Sequence, residues 1–388
     1  MRTLRAGTTD HKRVLLLLHY YDYRHHAGVA RYAAQAGWAL EDALTQANEL
    51  PAHWIGDGVI SFHGNSQPFV DWLKARGVPV VDMGDDPGIS EFPRVTNDND
   101  AIAAMAVEHF RAKGYRNVGF VWAADGTARR QRMHAVEAAA NARGLRFWDV
   151  PLERIALLRS EEAFPIALLA ANDGTGVRAL RACEDAGILV PEQVILMGID
   201  NFAYRCEPAS VSLSSIDADQ ERVGYEAAAM LDALMNGQEV ERALVRVPPV
   251  RIVERDSTDM VAVPDVEVAR AMRFIALNSQ RRVGLRDVAR ATGISLRRLQ
   301  TRFKEQLGRT ILQEINGRRV KHAKELLRET AKKIRVVAGE CGFGNSVKMI
   351  RVFKQYEGVS PKRFRRQAGG GGEAKEANEP VGNGGRAD

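Results

Sequence analysis

Apolar and polar residues repeat with a helical period in the last third of the chain, where two short helices joined by a glycine are predicted. The first runs from Leu285 to Thr292 and stops at Gly293, a residue that tolerates the left-handed conformation at a helix end. Ser295 can cap the next helix, in which Leu299 and Phe303 lie four residues apart on one side. The pattern therefore predicts a helix-turn-helix unit with one buried face and one free polar face.

The same pattern recurs later and predicts a second unit of this kind. An apolar stripe over residues 334–341 ends at Gly342-Phe343. The buried side of the following helix is predicted to hold Met349, Val352, Phe353 and Tyr356. Between the two units, Ile311–Glu329 predicts one long helix, which could set two recognition helices into successive major grooves of a duplex.

Charge divides the chain in the same place. Residues 265–367 hold 26 Lys and Arg against 9 Asp and Glu, whereas residues 1–264 hold 27 against 36. The net charge of +6 therefore hides a strongly basic block. Because Lys and Arg beside phosphates release condensed counterions, a basic pair of helix-turn-helix units predicts binding to double-stranded DNA. The alternative is a solvated helical bundle that binds no DNA.

Candidate DNA contacts lie on the polar faces of the two recognition helices. In the first unit, we expect three side chains to approach the bases: Arg297, Gln300 and Thr301. We expect three others to face phosphate or solvent: Arg298, Arg302 and Lys304. In the second unit, the groove is expected to be faced by Ser346, Val347, Ile350 and Arg351, with Lys348 able to reach phosphate or base. Arginine can pair bidentately with guanine, and valine can touch a thymine methyl group. For each arginine the alternative is a phosphate contact, which carries no sequence information.

From residue 14 to about residue 255, short apolar runs alternate with helical stretches. Strands are predicted at residues 14–18, 58–62, 79–81, 117–121, 166–171 and 194–199. Helices are predicted at residues 27–36, 68–75, 100–113, 130–143, 174–186 and 219–236. This alternation predicts an α/β fold of parallel sheets covered by helices, long enough for two lobes.

Residues just after the strands are candidates for a binding site, because ligands of open parallel sheets bind beyond the carboxyl ends of the strands. The candidates are Tyr21, Asp22, Arg24, Phe62, Trp122, Arg132, Asn172, Asp173, Asp200 and Asn201, with Tyr20, His63 and Asn65 nearby. A sugar needs carboxylate and amide groups for its adjacent hydroxyls and an aromatic face for its C–H surface. Each Asp or Asn could instead cap the next helix, and Trp122 could belong to the core.

Other function classes find little support in the sequence. The apolar run at residues 14–18 is too short for a signal peptide, and no run approaches the roughly eighteen apolar residues of a membrane span. Three scattered cysteines predict buried thiols in the cytoplasm rather than a disulfide set or a metal site. The sequence has no phosphate-binding glycine loop, nucleophile elbow or His/Cys cluster, so we expect neither an enzyme nor a bound cofactor or metal.

Two sets of motifs identify families. The basic block contains Ile294-Ser295, Leu299, Phe303, Gly308, Arg319, the run from Ala323 to Leu327, Cys341-Gly342-Phe343, Val352-Phe353-Lys354 and Gly358-Val359-Ser360-Pro361 with Arg365. These residues resemble the DNA-binding domain of AraC/XylS-type regulators. The earlier part contains Asp57-Gly58-Val59-Ile60, Asn97-Asp98-Asn99, Val190-Pro191-Glu192, Gly198-Ile199-Asp200-Asn201 and Gly224-Tyr225-Glu226-Ala227-Ala228. Those residues resemble the periplasmic-binding-protein-like domain of LacI/GalR-type regulators.

A LacI-type sensor placed before an AraC-type domain is similar to the XylR-type regulators of xylose operons. The resemblance implies an activator that binds D-xylose or another sugar in the cleft, acts on an operator as a homodimer and could contact RNA polymerase. It matches Arg132 to the effector-contacting arginine and Asp200 to the cleft aspartate. Lys348-Met349 stands where an aromatic pair is usual, so the operator sequence cannot be carried across. The alternative is a sugar-binding protein whose basic helical region serves dimerisation.

Four segments are therefore expected along the chain. They are a two-lobed sensing domain at residues 1–258, a linker at 259–266, an all-α DNA-binding domain at 267–367 and a disordered tail at 368–388. The linker is predicted because residues 258–263 show neither helical nor strand period, and Pro264-Asp265 is expected to open the next helix. The tail is predicted because it is rich in glycine and charge and poor in apolar residues.

Overall fold

The computed structural model describes residues 11–18, 22–44, 54–62, 67–84, 92–123, 127–159, 163–240 and 243–368. The chain forms two compact units, residues 1–264 and residues 265–388. Of the sequence-based candidates, Tyr20, Tyr21, His63 and Asn65 lie outside the described residues, as does the predicted tail from residue 369 onward.

Two six-stranded sheets can be followed through the described part of the first unit. The first sheet has the order β11-β5-β4-β3-β1-β2 and consists of β1 Arg13–Leu18, β2 Ala39–Leu44, β3 Gly58–Phe62, β4 Val80–Asp82, β5 Arg94–Asn97 and β11 Leu244–Val247. The second has the order β12-β10-β9-β8-β6-β7 and consists of β6 Asn117–Trp122, β7 Arg146–Pro151, β8 Ile166–Ala170, β9 Val194–Ile199, β10 Ser214–Asp217 and β12 Arg251–Val253. β12 pairs with β10 antiparallel, and the other pairs are parallel.

Helices cover both sheets, so the unit has two lobes. The helices are α1 Tyr23–Ala36, α2 Gln67–Arg76, α3 Asn99–Ala112, α4 Thr127–Asn141, α5 Asp173–Asp185, α6 Ala203–Cys206 and α7 Gln220–Met235. α1, α2 and α7 belong to the first lobe, and α3 to α6 belong to the second. The chain passes between the lobes after β5, after β10 and after β11. The predicted α/β class with parallel sheets is confirmed.

The core of the first lobe explains why β1 is apolar without interruption. Val14, Leu16 and Leu18 face the helices α1 and α7, whereas Leu15 and Leu17 pack against the opposite layer that contains α2. A strand of a parallel sheet is buried on both faces, so alternation of apolar and polar residues is lost.

α1 and α7 touch backbone to backbone in the first lobe. A Cβ atom at Gly28 would lie only 1.9 Å from the carbonyl oxygen of Glu221, so glycine is required for this approach. The close crossing brings the His25 ring within 2.8 Å of the side-chain oxygen of Gln220. Both side chains thereby reach the space between the lobes.

The second unit is helical throughout its described residues. Its helices are α8 Val266–Asn278, α9 Leu285–Thr292, α10 Leu296–Leu307, α11 Ile311–Glu329, α12 Ile334–Glu340, α13 Ser346–Glu357 and α14 Pro361–Ala368. The predicted turn of the first helix-turn-helix unit is confirmed, because Gly293 has a φ of 74° and the side chain of Ser295 accepts a hydrogen bond from the Arg298 amide. The prediction that Tyr356 is buried was wrong. Its side chain is 41% exposed, and its hydroxyl donates to the carbonyl oxygen of Gln313.

The long helix α11 packs against both helix-turn-helix units. Its Val320, Ala323 and Leu327 join Phe343 of the second turn and buried residues of α12 and α13, including Phe353, in one cluster. It also contacts α8 and α10. None of the helices in the described ranges has the length and apolar character that a bilayer crossing requires.

Candidate functional site

A cavity of about 300 Å³ lies at the carboxyl ends of the strands, between the two lobes. Its lining residues are Asp22, His25, Phe62, Asn97, Arg132, Asn172, Gly174, Asp200, Phe202, Arg205 and Gln220. The volume is at the small end of the range for ligand pockets, which is about 300–1,000 Å³. The cavity is therefore large enough for one small molecule but not for a chain of several linked units.

Asp22 occupies the start of α1 at the cavity wall. It caps the helix through a 2.9 Å hydrogen bond from the Arg24 amide, and its carboxylate pairs with the Arg24 guanidinium at 2.7 Å. Burial acts to raise the pKa of Asp22, but the hydrogen bonds and charge of Arg24 outweigh it and hold that pKa below its ordinary value. Asp22 is thus an ionised acceptor in a fixed orientation.

Asp200 follows β9 in a backbone conformation that non-glycine residues rarely adopt, with a φ of 105°. Such a conformation costs about 1–3 kcal/mol and is found mainly at functional sites. Several contacts hold the turn: the Asp200 amide donates to Ile216, its carbonyl oxygen accepts from Arg24, and its carboxylate accepts from Gln220 at 3.2 Å. Burial raises the pKa of Asp200 to about 7, against the opposing charge of Arg132.

The second lobe supplies three further polar groups beside Asp200. Arg132 on α4 is oriented by hydrogen bonds to Asn99 and to the carbonyl oxygen of Ala171, at 2.9 Å and 2.7 Å. Asn172 lines the cavity and also caps α5. Asp173 is fully buried outside the lining, where it accepts from Ser215 and from the Phe202 amide; burial raises its pKa. Asp173 therefore supports the cavity wall.

The aromatic rings at the cavity are Phe62 from the first lobe and Phe202 from the second. The guanidinium of Arg24 lies 4.4 Å from the centre of the Phe202 ring, so this side chain of the first lobe contacts two residues of the second. Trp122 is placed elsewhere. Its indole nitrogen donates to Asp149 at 2.6 Å, and the Arg129 guanidinium covers its ring at 3.9 Å.

The structure brings half of the predicted ligand-binding residues together. Those lining the cavity are Asp22, Phe62, Arg132, Asn172 and Asp200, whereas Arg24, Trp122, Asp173 and Asn201 do not line it. The sequence reasoning missed His25, Asn97, Gly174, Phe202, Arg205 and Gln220. His25 and Phe202 each lie one residue beyond the last candidate after their strand, Arg24 and Asn201, so a slightly longer search would have found them. Gln220 is different, because only the return of the chain from β10 to the first lobe puts it there.

The first recognition helix, α10, presents a polar face to solvent. The exposed residues among the predicted DNA contacts are Arg297, Arg298, Gln300, Thr301 and Lys304. Leu299 and Phe303 on the opposite side are fully buried. Arg302 is directed to α8 instead, where it pairs with Asp265 at 2.5 Å and with Glu267 at 3.2 Å. Arg302 thus links α10 to the start of α8.

The second recognition helix, α13, presents a more apolar face. Val347 is 75% exposed and Ile350 is 41% exposed, with Arg351 exposed beside them. Ser346 and Lys348 are half-buried, and Met349 is fully buried. Exposed β-branched side chains flanked by a cation can contact thymine methyl groups and phosphate or guanine.

The cations on these two faces lack the ion pairs that several other basic side chains of the domain form. Within the described ranges, Arg297, Arg298, Lys304 and Arg351 form no ion pair with an acidic side chain. The basic side chains with acidic partners include Arg302, Arg309, Arg318, Lys324 and Lys332. The unpaired cations are therefore available to a polyanion.

Comparison with known proteins identifies both domains. Residues 107–258 match the periplasmic binding protein-like domain family, and residues 288–367 match a helix-turn-helix domain family. The xylose operon regulatory protein of Escherichia coli K12 is 29% identical, over 89% of this chain and 94% of that protein. The protein of the same name from Haemophilus influenzae is 27% identical over 89% of this chain and 95% of its own length. A solved structure of a xylose-binding transcription activator, XylR, superposes with a TM-score of 0.72 at 27% identity, covering 92% of this chain and 99% of that one.

A two-lobed ligand-sensing domain followed by paired helix-turn-helix units defines a DNA-binding transcription regulator. The alternative of a binding protein whose basic region serves only dimerisation is not favoured, because relatives along nearly the whole chain are operon regulators. Along nearly its whole length, the chain is similar to XylR-type regulators of xylose operons.

Proposed function

We propose that this regulator responds to xylose or a closely related monosaccharide and activates an operon for the catabolism of that sugar. The observation that carries the proposal is the composition of the cavity between the lobes. It combines two carboxylates, three amide side chains and two phenyl rings in about 300 Å³. The similarity to xylose operon regulatory proteins supports the same sugar.

The cavity groups match the chemistry of a pyranose. Asp22 and Asp200 can each accept hydrogen bonds from two adjacent hydroxyls, and Arg132 can donate to hydroxyl or ring oxygens. Asn97, Asn172 and Gln220 offer both donors and acceptors. Phe62 and Phe202 supply apolar surface for the C–H faces of the ring.

The sensing step is a shift between open and closed arrangements of the lobes. Ligand favours the closed arrangement by its greater affinity for it, since an effector shifts an equilibrium only by its differential affinity. In a homodimer, closure would bring both DNA-binding domains onto the operator, so that the paired recognition helices of each domain reach their half-sites, with RNA polymerase as the next partner. Such a regulator acts in the cytoplasm and carries no catalytic activity.

Calorimetry of the full-length chain with D-xylose, other pentoses and hexoses tests the proposal. One monosaccharide should bind and should raise the affinity for a duplex that the chain selects from random-sequence DNA. Arg132→Met should abolish the heat of binding, whereas Arg130→Met, an exposed neighbour on α4, should leave it unchanged. Absence of binding by every sugar, with unchanged DNA affinity, would overturn the proposal.

A further inference from the structure

The side chain of Arg319 on α11 is almost completely buried, with 3% of its surface exposed. Its guanidinium donates to three backbone carbonyl oxygens of the segment between α8 and α9. The acceptors are Ser279 at 2.9 Å, Arg281 at 2.9 Å and Val283 at 3.2 Å. That segment leads directly into α9 of the first helix-turn-helix unit. Arg319 therefore fixes the backbone immediately before this unit.

The same segment is in contact with the turn of the second unit. A Cβ atom at Gly342 would lie 2.5 Å from the carbonyl oxygen of Arg281 and 2.7 Å from that of Ser279. The guanidinium of Arg319 also lies 5.9 Å from the centre of the Phe343 ring. Arg319 and the Gly342-Phe343 turn therefore enclose the Ser279–Val283 segment from two sides.

Burying a guanidinium is costly unless its charge is balanced. Arg319 has no acidic partner among the residues that the structure describes; its hydrogen bonds go to carbonyl oxygens. An apolar side chain would fill the same space without that cost, but it could not bind several carbonyl groups in one rigid geometry. The planar guanidinium of arginine can bind several carbonyl groups in one rigid geometry, whereas the single ammonium group of lysine cannot.

We propose that Arg319 is a positioning residue that fixes the two helix-turn-helix units relative to each other. It thereby sets the spacing that the regulator accepts between the two half-sites that the recognition helices of one domain contact. The inference rests on the DNA-binding function and concerns its geometry. The link acts at the entry of the first unit and at the turn of the second, so its loss frees the two recognition helices to move relative to each other while each keeps its own core.

Spacing is a sensitive measure of this geometry. Inserting one base pair between the half-sites rotates one relative to the other by roughly 34–36°, given 10–10.5 base pairs per helical turn. A rigid pair of recognition helices cannot follow that rotation, whereas a loosely joined pair can. A general loss of stability would lower the affinity at every spacing alike.

The test uses the full-length chain and a duplex that the wild-type protein selects from random-sequence DNA. Affinities are measured for that duplex and for versions with one base pair inserted or removed between the half-sites. The variants are Arg319→Met, which removes the fork, and Arg319→Lys, which keeps the charge. Gly342→Ala disturbs the same contact from the opposite side. Arg318→Met is the control, because the Arg318 guanidinium hydrogen-bonds to Glu314 on the same helix at 2.9 Å.

The wild type and Arg318→Met should lose affinity on the order of tenfold or more for each altered spacing, comparable to a mismatched base pair. Arg319→Met and Gly342→Ala should bind the original duplex more weakly than the wild type. Their affinities for the different spacings should differ by less than about threefold, because the two recognition helices are no longer held in one geometry. Arg319→Lys should discriminate to an intermediate extent, since lysine offers one donor group in place of the planar fork. Unchanged discrimination in the Arg319 and Gly342 variants would overturn the inference and leave DNA binding intact. Failure of the wild type to select any duplex would instead overturn the DNA-binding function itself.

Discussion

Arg24 on α1 in the first lobe donates a hydrogen bond to the backbone carbonyl of Asp200, which follows β9 in the second lobe. The same guanidinium pairs with Asp22 and lies over the ring of Phe202. One side chain therefore orients a carboxylate of the cavity, holds the strained turn of a second carboxylate and connects the two lobes.

Replacing Arg24 should weaken effector binding although Arg24 does not line the cavity. Arg24→Met leaves the Asp22 carboxylate unpaired and the Asp200 turn unsupported. A hydrogen bond to a charged group contributes about 1.5–3 kcal/mol, so we expect the dissociation constant to rise by on the order of tenfold or more. Calorimetry with the effector measures it. Arg31→Met is the matched control, because Arg31 lies on the same helix in an exposed pair with Glu221; equal affinities of both variants would contradict the role assigned to Arg24.

The raised pKa of Asp200 predicts opposite effects of pH on stability and on binding. The folded domain retains a proton on Asp200 up to about pH 7, whereas the unfolded chain releases it near the ordinary carboxyl pKa of about 4. The contribution of Asp200 to stability is therefore fully present below about pH 4 and is lost as the pH rises to about 7. Effector hydroxyls need the ionised carboxylate as acceptor, so effector affinity should fall when the pH is lowered from about 8 to about 6.

Asp200→Asn separates these two effects. The variant should unfold at a higher temperature than the wild type at about pH 8, because it lacks the buried charge, and it should bind the effector weakly at every pH. Thermal unfolding and calorimetry across the pH range measure both. Glu221→Gln, which removes an exposed carboxylate, should change neither. A pH-independent affinity in the wild type would show that Asp200 does not titrate in this range.

The sequence predicted those elements whose own residues determine them. Strand β1 is recognisable from its uninterrupted leucines, and α11 was predicted with its observed bounds because its apolar period and its Thr310 cap act locally. Strand β2 was missed, since Glu41 and Asp42 interrupt its apolar pattern. Those charges are tolerated at the edge of the sheet, where Arg13 pairs with Glu41.

The cavity residues that the sequence predicted are likewise those whose position follows from local sequence. Asp22, Asn172 and Asp200 lie within four residues of a strand end, and the rule for parallel sheets places such residues at the binding edge. His25 and Gln220 meet because Gly28 lets α1 and α7 approach, and because the chain returns to the first lobe after β10. Neither cause can be read from local periodicity.

The crossing of α1 and α7 should depend on Gly28. A methyl group there would meet the carbonyl of Glu221, so Gly28→Ala forces the helices apart and should lower the free energy of unfolding of the sensing domain by about 1–3 kcal/mol or more. Denaturant unfolding followed by circular dichroism measures it. Gly339→Ala is the control, because no atom outside its own helix backbone and chain neighbours lies within 4 Å of its Cβ position. That helical substitution should stabilise its own domain by about 0.5–1 kcal/mol, and a similar gain from Gly28→Ala would contradict the close crossing.

Val347 on α13 should read a thymine methyl group. It is the most exposed apolar side chain of the recognition helices, and desolvating one methyl-sized group contributes about 0.8 kcal/mol, or roughly three- to fivefold in affinity. Each thymine of the selected duplex is replaced in turn by deoxyuridine, which lacks the methyl. At least one replacement should weaken binding of the wild type and leave binding of Val347→Ala unchanged. Lys354→Ala, on the same exposed face, should instead weaken all duplexes equally and reduce the salt dependence by about one phosphate contact. If the wild type is insensitive to every replacement, or Val347→Ala retains the sensitivity, Val347 does not contact a thymine.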